Sequence, residues 1–247
     1  MNQEIILSAL ILISAAFIPS IIYLWWIRNA EIRGRLRWGH LFKTFIWGAV
    51  FSVIIAVILS LTASGFLFSG NMQREYQFLA DKTIKSLILV CVVAPVVEEL
   101  AKVMGVFSVK SKILEIEDGL VFGAACGLGF AATENLLYES NTFFSEGFSS
   151  AFITIVIVRS IASALLHGSA SAMAGYGISK GMFLGKHSFI PYYLLAVVMH
   201  GSFNFLASIG QIYEGRIPLL ALIIAVVFSI ASIRFVRGKI IKLDRRK

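Results

Sequence analysis

The sequence predicts an all-α, polytopic membrane protein, a bundle of about seven transmembrane helices, and three observations carry that prediction. Hydrophobic residues make up 58% of the 247 and charged residues only 15%, whereas a soluble domain carries about 25% charge on average. The mean hydropathy is +0.84. Uncharged runs of around twenty residues recur along the chain, long enough to cross a hydrocarbon core of about 30 Å. A soluble enzyme, a secreted disulfide scaffold and a disordered tail are excluded together.

The spans can be taken in order. The first, Ile5 to Ile27, has no basic leader and no small-residue cleavage site after it, so it reads as a retained helix and not as a signal peptide. Leu41 to Phe66 follows, and Trp25, Trp26, Trp38 and Trp47 cluster about the loop between the two, as residues at a membrane interface do. The third, Ile84 to Val109, holds a proline, Lys85 at its edge and three charges deeper in. Gly119 to Tyr138 and Ser149 to Ser179 are rich in small residues. Phe189 to Ile209 and Ile217 to Val236 complete the series. Nothing between the spans is long enough for a soluble domain, so residues 1–247 read as one integral-membrane domain. Cys91 and Cys126 fall inside apolar runs and read as reduced core residues.

The net charge of +8 is a matter of loops, not of nucleic acid. One set of loops and the tail carry Arg28, Arg33, Arg35, Arg37, Lys43, Lys110, Lys112, Lys180, Lys186, Arg234, Arg237, Lys239, Lys242, Arg245, Arg246 and Lys247. The opposite side has Arg74, Lys82, Lys85 and Arg216. Positive loops mark the cytoplasmic face, so the N-terminus is expected outside and the C-terminus in the cytoplasm of a multi-pass protein of the cell membrane. The basic tail suits anionic lipid of the bilayer. His40 and His187 fall in loops on the same side and read as surface histidines.

Charged groups within spans cost about 2.5 to 3.5 kcal/mol each on insertion scales and commonly mark function. Here they are Glu98, Glu99 and Lys102 in the third span, Glu134 in the fourth, His167 in the fifth and His200 in the sixth. At about 1.5 Å per residue, Glu98, His167 and His200 lie roughly 15 Å from the cytoplasmic ends, and Glu134 nearer 20 Å. Four helices thus bring acids and imidazoles to nearly one layer. Arg159, near the end of its span, reads as a snorkelling residue.

Within Pro95-Val-Val-Glu98-Glu99-Leu-Ala-Lys102 the proline is expected to kink the helix just before the acids. Glu98 and Lys102, four apart, share a face and favour pairing, while Glu99 points about 100° away. One carboxylate held by the lysine and another left to take a proton from water would suit general-base chemistry. Gly123 and Gly127 ahead of Glu134, and Ala164, Gly168 and Ala172 about His167, are spaced for close helix contact. Glu134 and Asn135 follow the first of these stripes, and His200 and Asn204 share a face of the sixth span. Acids, imidazoles and an amide in a wet pocket suit hydrolysis, with His200 or Asn204 steadying an oxyanion. Glu134, His167 and His200 around zinc would give three protein ligands and an open position. The sequence lacks His-Glu-x-x-His, so the residues leave metal dependence open. A proton relay or proton-coupled transporter would also use acid–His chains, and a scaffold held together by the polar layer is a third reading.

In this order on successive helices, Glu98-Glu99-x-x-Lys102, Phe130-x-x-x-Glu134-Asn135, the separate His167 and His200-x-x-x-Asn204 resemble the PrsW family of intramembrane proteases. That family sits in a wider group with type II CAAX prenyl endopeptidases and CPBP proteins. The resemblance covers 84–209. The CAAX relatives have histidine where Glu134 stands, and the glutamate points to the PrsW branch. It implies cleavage of a membrane-anchored protein substrate, of the kind that releases an anti-sigma factor. Glu98, Glu99, His167 and His200 are then the expected catalytic residues, with Lys102, Glu134, Asn135 and Asn204 in support.

Overall fold

A computed structural model describes residues 3–185 and 188–245. Lys186, His187, Arg246 and Lys247 lie outside the described residues. The chain forms α1 (Gln3–Arg28), α2 (Trp38–Leu67), a short α3 (Gly70–Glu75), α4 (82–107), α5 (Ile116–Glu146), α6 (Ser150–Leu184), α7 (Phe189–Ser208) and α8 (Ile217–Asp244), with no strand among the described residues. Six of these are long and apolar enough to cross a membrane. The expected third span folds as α4, whose charges keep it out of that set although it packs among the others. The chain is a multi-pass membrane protein.

Helix α5 is the central post. Its stripe Gly119, Gly123, Gly127 faces α6 so closely that a Cβ on each would collide with the Gly175, Ser171 and His167 carbonyl oxygens respectively. Gly48 and Gly129 make the same approach between α2 and α5, against Cys126 O and Phe45 O. With little apolar driving force between helices in lipid, such backbone proximity is what packing supplies. Leu24, Leu41, Leu120, Leu128 and Ile233 fill the core between these contacts. The outer faces expose Leu10, Leu61, Leu219 and Val227, among others, which suits lipid as solvent.

The helix starts and stops follow local chemistry. Asp81 accepts from Ile84 N at the start of α4, and Ser149 from Phe152 N at the start of α6. Glu115 and Asp118 close a capping box on α5. Asp244 at the end of α8 accepts from Ile32 N and Arg33 N, tying α8 to the α1–α2 loop. Gly34, Arg37 and Lys112 line one cavity there, so the basic loops gather at one end of the bundle.

Three π-helical turns interrupt the long helices: Trp47–Ser52 in α2, Leu89–Val93 in α4 and Arg159–Ser163 in α6. The second has a legible cause. Pro95 offers no N–H, and Ala94 N reaches back five residues to Leu89 O, so Val90 O is left without a helical donor. Asn204 Nδ2 supplies one from α7, at 2.8 Å. The next carbonyl, Cys91 O, comes so close to α7 that a Cβ on Gly201 would clash with it. The expected kink before the acids is therefore a π turn, braced from α7.

Candidate active site

The ionisable groups of α4, α5, α6 and α7 meet in one buried cluster. Glu99, Lys102, His167 and His200 are almost fully enclosed. At its centre Lys102 Nζ donates to Glu99 Oε1 at 2.8 Å and lies 2.8 Å from His167 Nδ1. Glu99 also takes Ser171 Oγ–H at 2.8 Å and sits 3.1 Å from His200 Nδ1. An ammonium has no lone pair, so Nδ1 of His167 accepts, and its proton sits on Nε2. From there His167 reaches Glu134 Oε2 at 2.9 Å. The two imidazoles stand edge to face, 4.6 Å between centroids, and the Phe130 ring lies 4.1 Å beneath the ammonium.

Two expectations from the sequence are corrected. The lysine's closer partner is Glu99, three residues away; Glu98 Oε2 is 3.6 Å off. Arg159 does not snorkel. It turns inward from the π turn of α6, with Nη2 2.7 Å from Glu134 Oε2 and Nε 3.0 Å from Asn135 Oδ1, and its guanidinium stacks 3.9 Å from the Tyr138 ring centre. Sequence reasoning missed it, as it missed Ser171, the hydroxyl partner of Glu99. The signal for Arg159 was present: an arginine inside a span needs a partner at its own depth.

The side chains of Glu98 and Glu134 are 13% and 22% exposed, and both line a cleft of about 230 Å³ between α2 and α5, with Ala56, Ser60, Leu61 and Phe130. Other cavities, including a larger apolar groove between α1 and α5, hold none of the cluster's ionisable groups.

The donors suit a cation. Single ligand atoms of Glu98, His167 and His200 all lie within 4.8 Å of one another. Glu98 Oε2 is buried and accepts no hydrogen bond from the described residues. It faces His200 Nε2 across 3.8 Å. The other nitrogen of His200 is engaged by Glu99, the carboxylate–imidazole arrangement common behind metal ligands. Where the sequence offered Glu134 as the acidic ligand, the coordinates group Glu98 with the histidines, and Glu134 is held by Arg159 and His167.

The sequence has counterparts among known proteins. A family profile, PrsW family intramembrane metalloprotease, matches residues 36–232. The chain belongs to the PrsW family. It is similar to Protease PrsW of Clostridioides difficile (strain 630), with 31% identity over 226 residues, 87% of this chain and 86% of that one. It is also similar to Protease PrsW of Bacillus subtilis (strain 168), with 30% identity over 95 residues, 37% and 39% of the two chains. No solved structure matches. Membership in the PrsW family decides between hydrolysis and a proton relay: the protein is an intramembrane endopeptidase, and its substrate is a protein in the membrane.

Proposed function

We propose that Glu98, His167 and His200 form the hydrolytic centre, and that a membrane-anchored substrate reaches it through the α2–α5 cleft. The observation that carries this is Glu98 Oε2, which is buried beside the cleft, accepts no hydrogen bond from the described residues, and faces His200 Nε2 at 3.8 Å and Lys102 Nζ at 3.6 Å. Among the acids it is the one with basicity to spare, since Glu99 is spent on Ser171, Lys102 and His200, and Glu134 on Arg159 and His167.

Glu98 takes the proton of the attacking water as the oxygen adds to the peptide carbonyl, and returns it to the leaving amine. Glu99 fixes the His200 ring through Nδ1, leaving Nε2 toward the reacting water. Lys102 and Glu134 hold His167 from its two sides. Asn204 serves the backbone of α4, so its part is to place Glu98 and Glu99 and not to hold the oxyanion. Glu98, His167 and His200 would hold zinc, with His167 exchanging one of its two present hydrogen bonds for the ion. Bound there, zinc would supply Lewis-acid polarisation and a more acidic water. A carboxylate has two oxygens, so Glu98 can serve the ion with one and the water proton with the other.

On the orientation expected from the basic loops, their end of the bundle faces the cytoplasm, and the substrate class we favour is a single-span protein of the anti-sigma-factor type. The test is cleavage of such a substrate, co-reconstituted in vesicles, by Glu98→Gln, Glu99→Gln, His167→Ala and His200→Ala. Loss in each, with monodisperse folded protein, is expected. Full cleavage by all of them would reject the assignment.

A further inference from the structure

Hydrolysis inside a bilayer consumes water, and the substrate cleft is lined mainly by apolar side chains. A line of buried polar groups approaches the cluster from the far side of Arg159. Glu139 lies five residues beyond Glu134 and is 0% exposed, yet neither of its carboxylate oxygens accepts a hydrogen bond from the described residues. One turn before it on the same face, Asn135 is also fully buried, and its Nδ2 has no acceptor there. The buried Ser160 hydroxyl, beside Arg159, is unpartnered as well.

Two contacts bracket Glu139 between α5 and α6. On its outer side Phe143 packs against Phe152, with ring centres 5.4 Å apart. On its inner side Asn135 Oδ1 accepts from Arg159 Nε. Residues four apart on a helix have Cβ atoms about 5–6 Å apart, a gap one water can bridge. Unpaired buried polar groups cost about 1–3 kcal/mol each, and a native fold meets that cost with bound water where the site is polar and roomy enough. The line ends on Arg159, which touches Glu134, which touches His167.

We propose that Asn135 and Glu139 hold a file of water between α5 and α6, entering at the end of the bundle opposite the basic loops and feeding the Glu134–His167 side of the centre. The proposal rests on that centre being hydrolytic. Glu139 is not part of the reacting machinery; it keeps the path wet.

The test uses the full-length protein in nanodiscs. Glu139→Leu removes the polar lining and fills the space, so it should leave Tm unchanged or higher while kcat falls on the order of tenfold at unchanged KM. Glu139→Gln should stay near wild type. A carboxylate that is only a packing liability gives the same Tm gain with full kcat, which would overturn the proposal. So would equal kcat losses in both variants. X-ray hydroxyl-radical labelling reads the water without needing activity, and decides the matter if Glu139→Leu does not fold. Phe152 beside the path should be oxidised well above Phe122, an equally enclosed ring in the core. Equal slow oxidation of the two would show the path dry. If Glu98→Gln cleaved normally, the hydrolytic reading would fail whatever the labelling showed.

Discussion

Lys102 pairs with Glu99, three residues before it, in preference to Glu98, four before it: Nζ to Oε1 is 2.8 Å in the first case, Nζ to Oε2 3.6 Å in the second. The neighbouring acids therefore do different work. Glu99 balances a buried ammonium, and Glu98, which lines the cleft, keeps an oxygen that accepts no hydrogen bond from the described residues. Breaking a buried pair by removing one partner costs about 3–5 kcal/mol. Glu99→Gln is expected to lower stability by about that amount, while Glu98→Gln leaves it within about 1 kcal/mol. Thermal unfolding in nanodiscs measures both, and equal Tm values for the two variants would contradict the division of roles.

Arg159 uses two nitrogens of its guanidinium, Nη2 on Glu134 and Nε on Asn135. A lysine cannot supply both. Arg159→Lys is expected to fold but to lose roughly ten- to a hundredfold in kcat/KM, about 1.4–2.7 kcal/mol of transition-state stabilisation. Steady-state cleavage by the purified variant is the check, and a wild-type value would show that Glu134 needs no anchor.

Asn204 and Pro95 should be coupled. Asn204→Leu strips Val90 O of its donor and is expected to cost about 1–3 kcal/mol. Pro95→Ala restores a backbone N–H within reach of that carbonyl, so the cost of Asn204→Leu should shrink in its presence. A double-mutant cycle on Tm reads the interaction directly. Strict additivity would mean that the amide does not serve the π turn.

The cleft offers a test of substrate approach. Ser60 lines it from α2 and touches none of the reacting groups. Ser60→Trp should fill much of the roughly 230 Å³ and cut cleavage of a membrane-anchored substrate by about tenfold or more, through KM. Tryptophan on the outward face of α8, in place of Leu219 (61% exposed), should do nothing. Undiminished cleavage by Ser60→Trp would move the entrance elsewhere.

Much of this was written in the sequence. The acids and imidazoles of four spans could be placed at one depth by counting residues, because helical rise is constant. The glycine stripes announced which helix faces meet. What counting could not supply was direction. The three π turns shift the faces of α2, α4 and α6, and composition does not announce them, so Arg159 could not be aimed at Glu134 beforehand. Lysine's four-carbon stem reaches either acid, and the i, i+4 rule alone could not choose Glu99 for Lys102. Glu139 was hidden differently. The apolar run fades at Tyr138, yet α5 continues to Glu146, which buries an acid that polarity alone would assign to a loop.

The most direct test of Glu98 as the reacting carboxylate is to measure zinc content and cleavage on the same purified samples of wild type and Glu98→Gln, before and after chelation. Wild type should bind zinc and lose cleavage with it, while Glu98→Gln should be folded, depleted of zinc and inactive. Glu98→Gln cleaving at the wild-type rate would contradict the account.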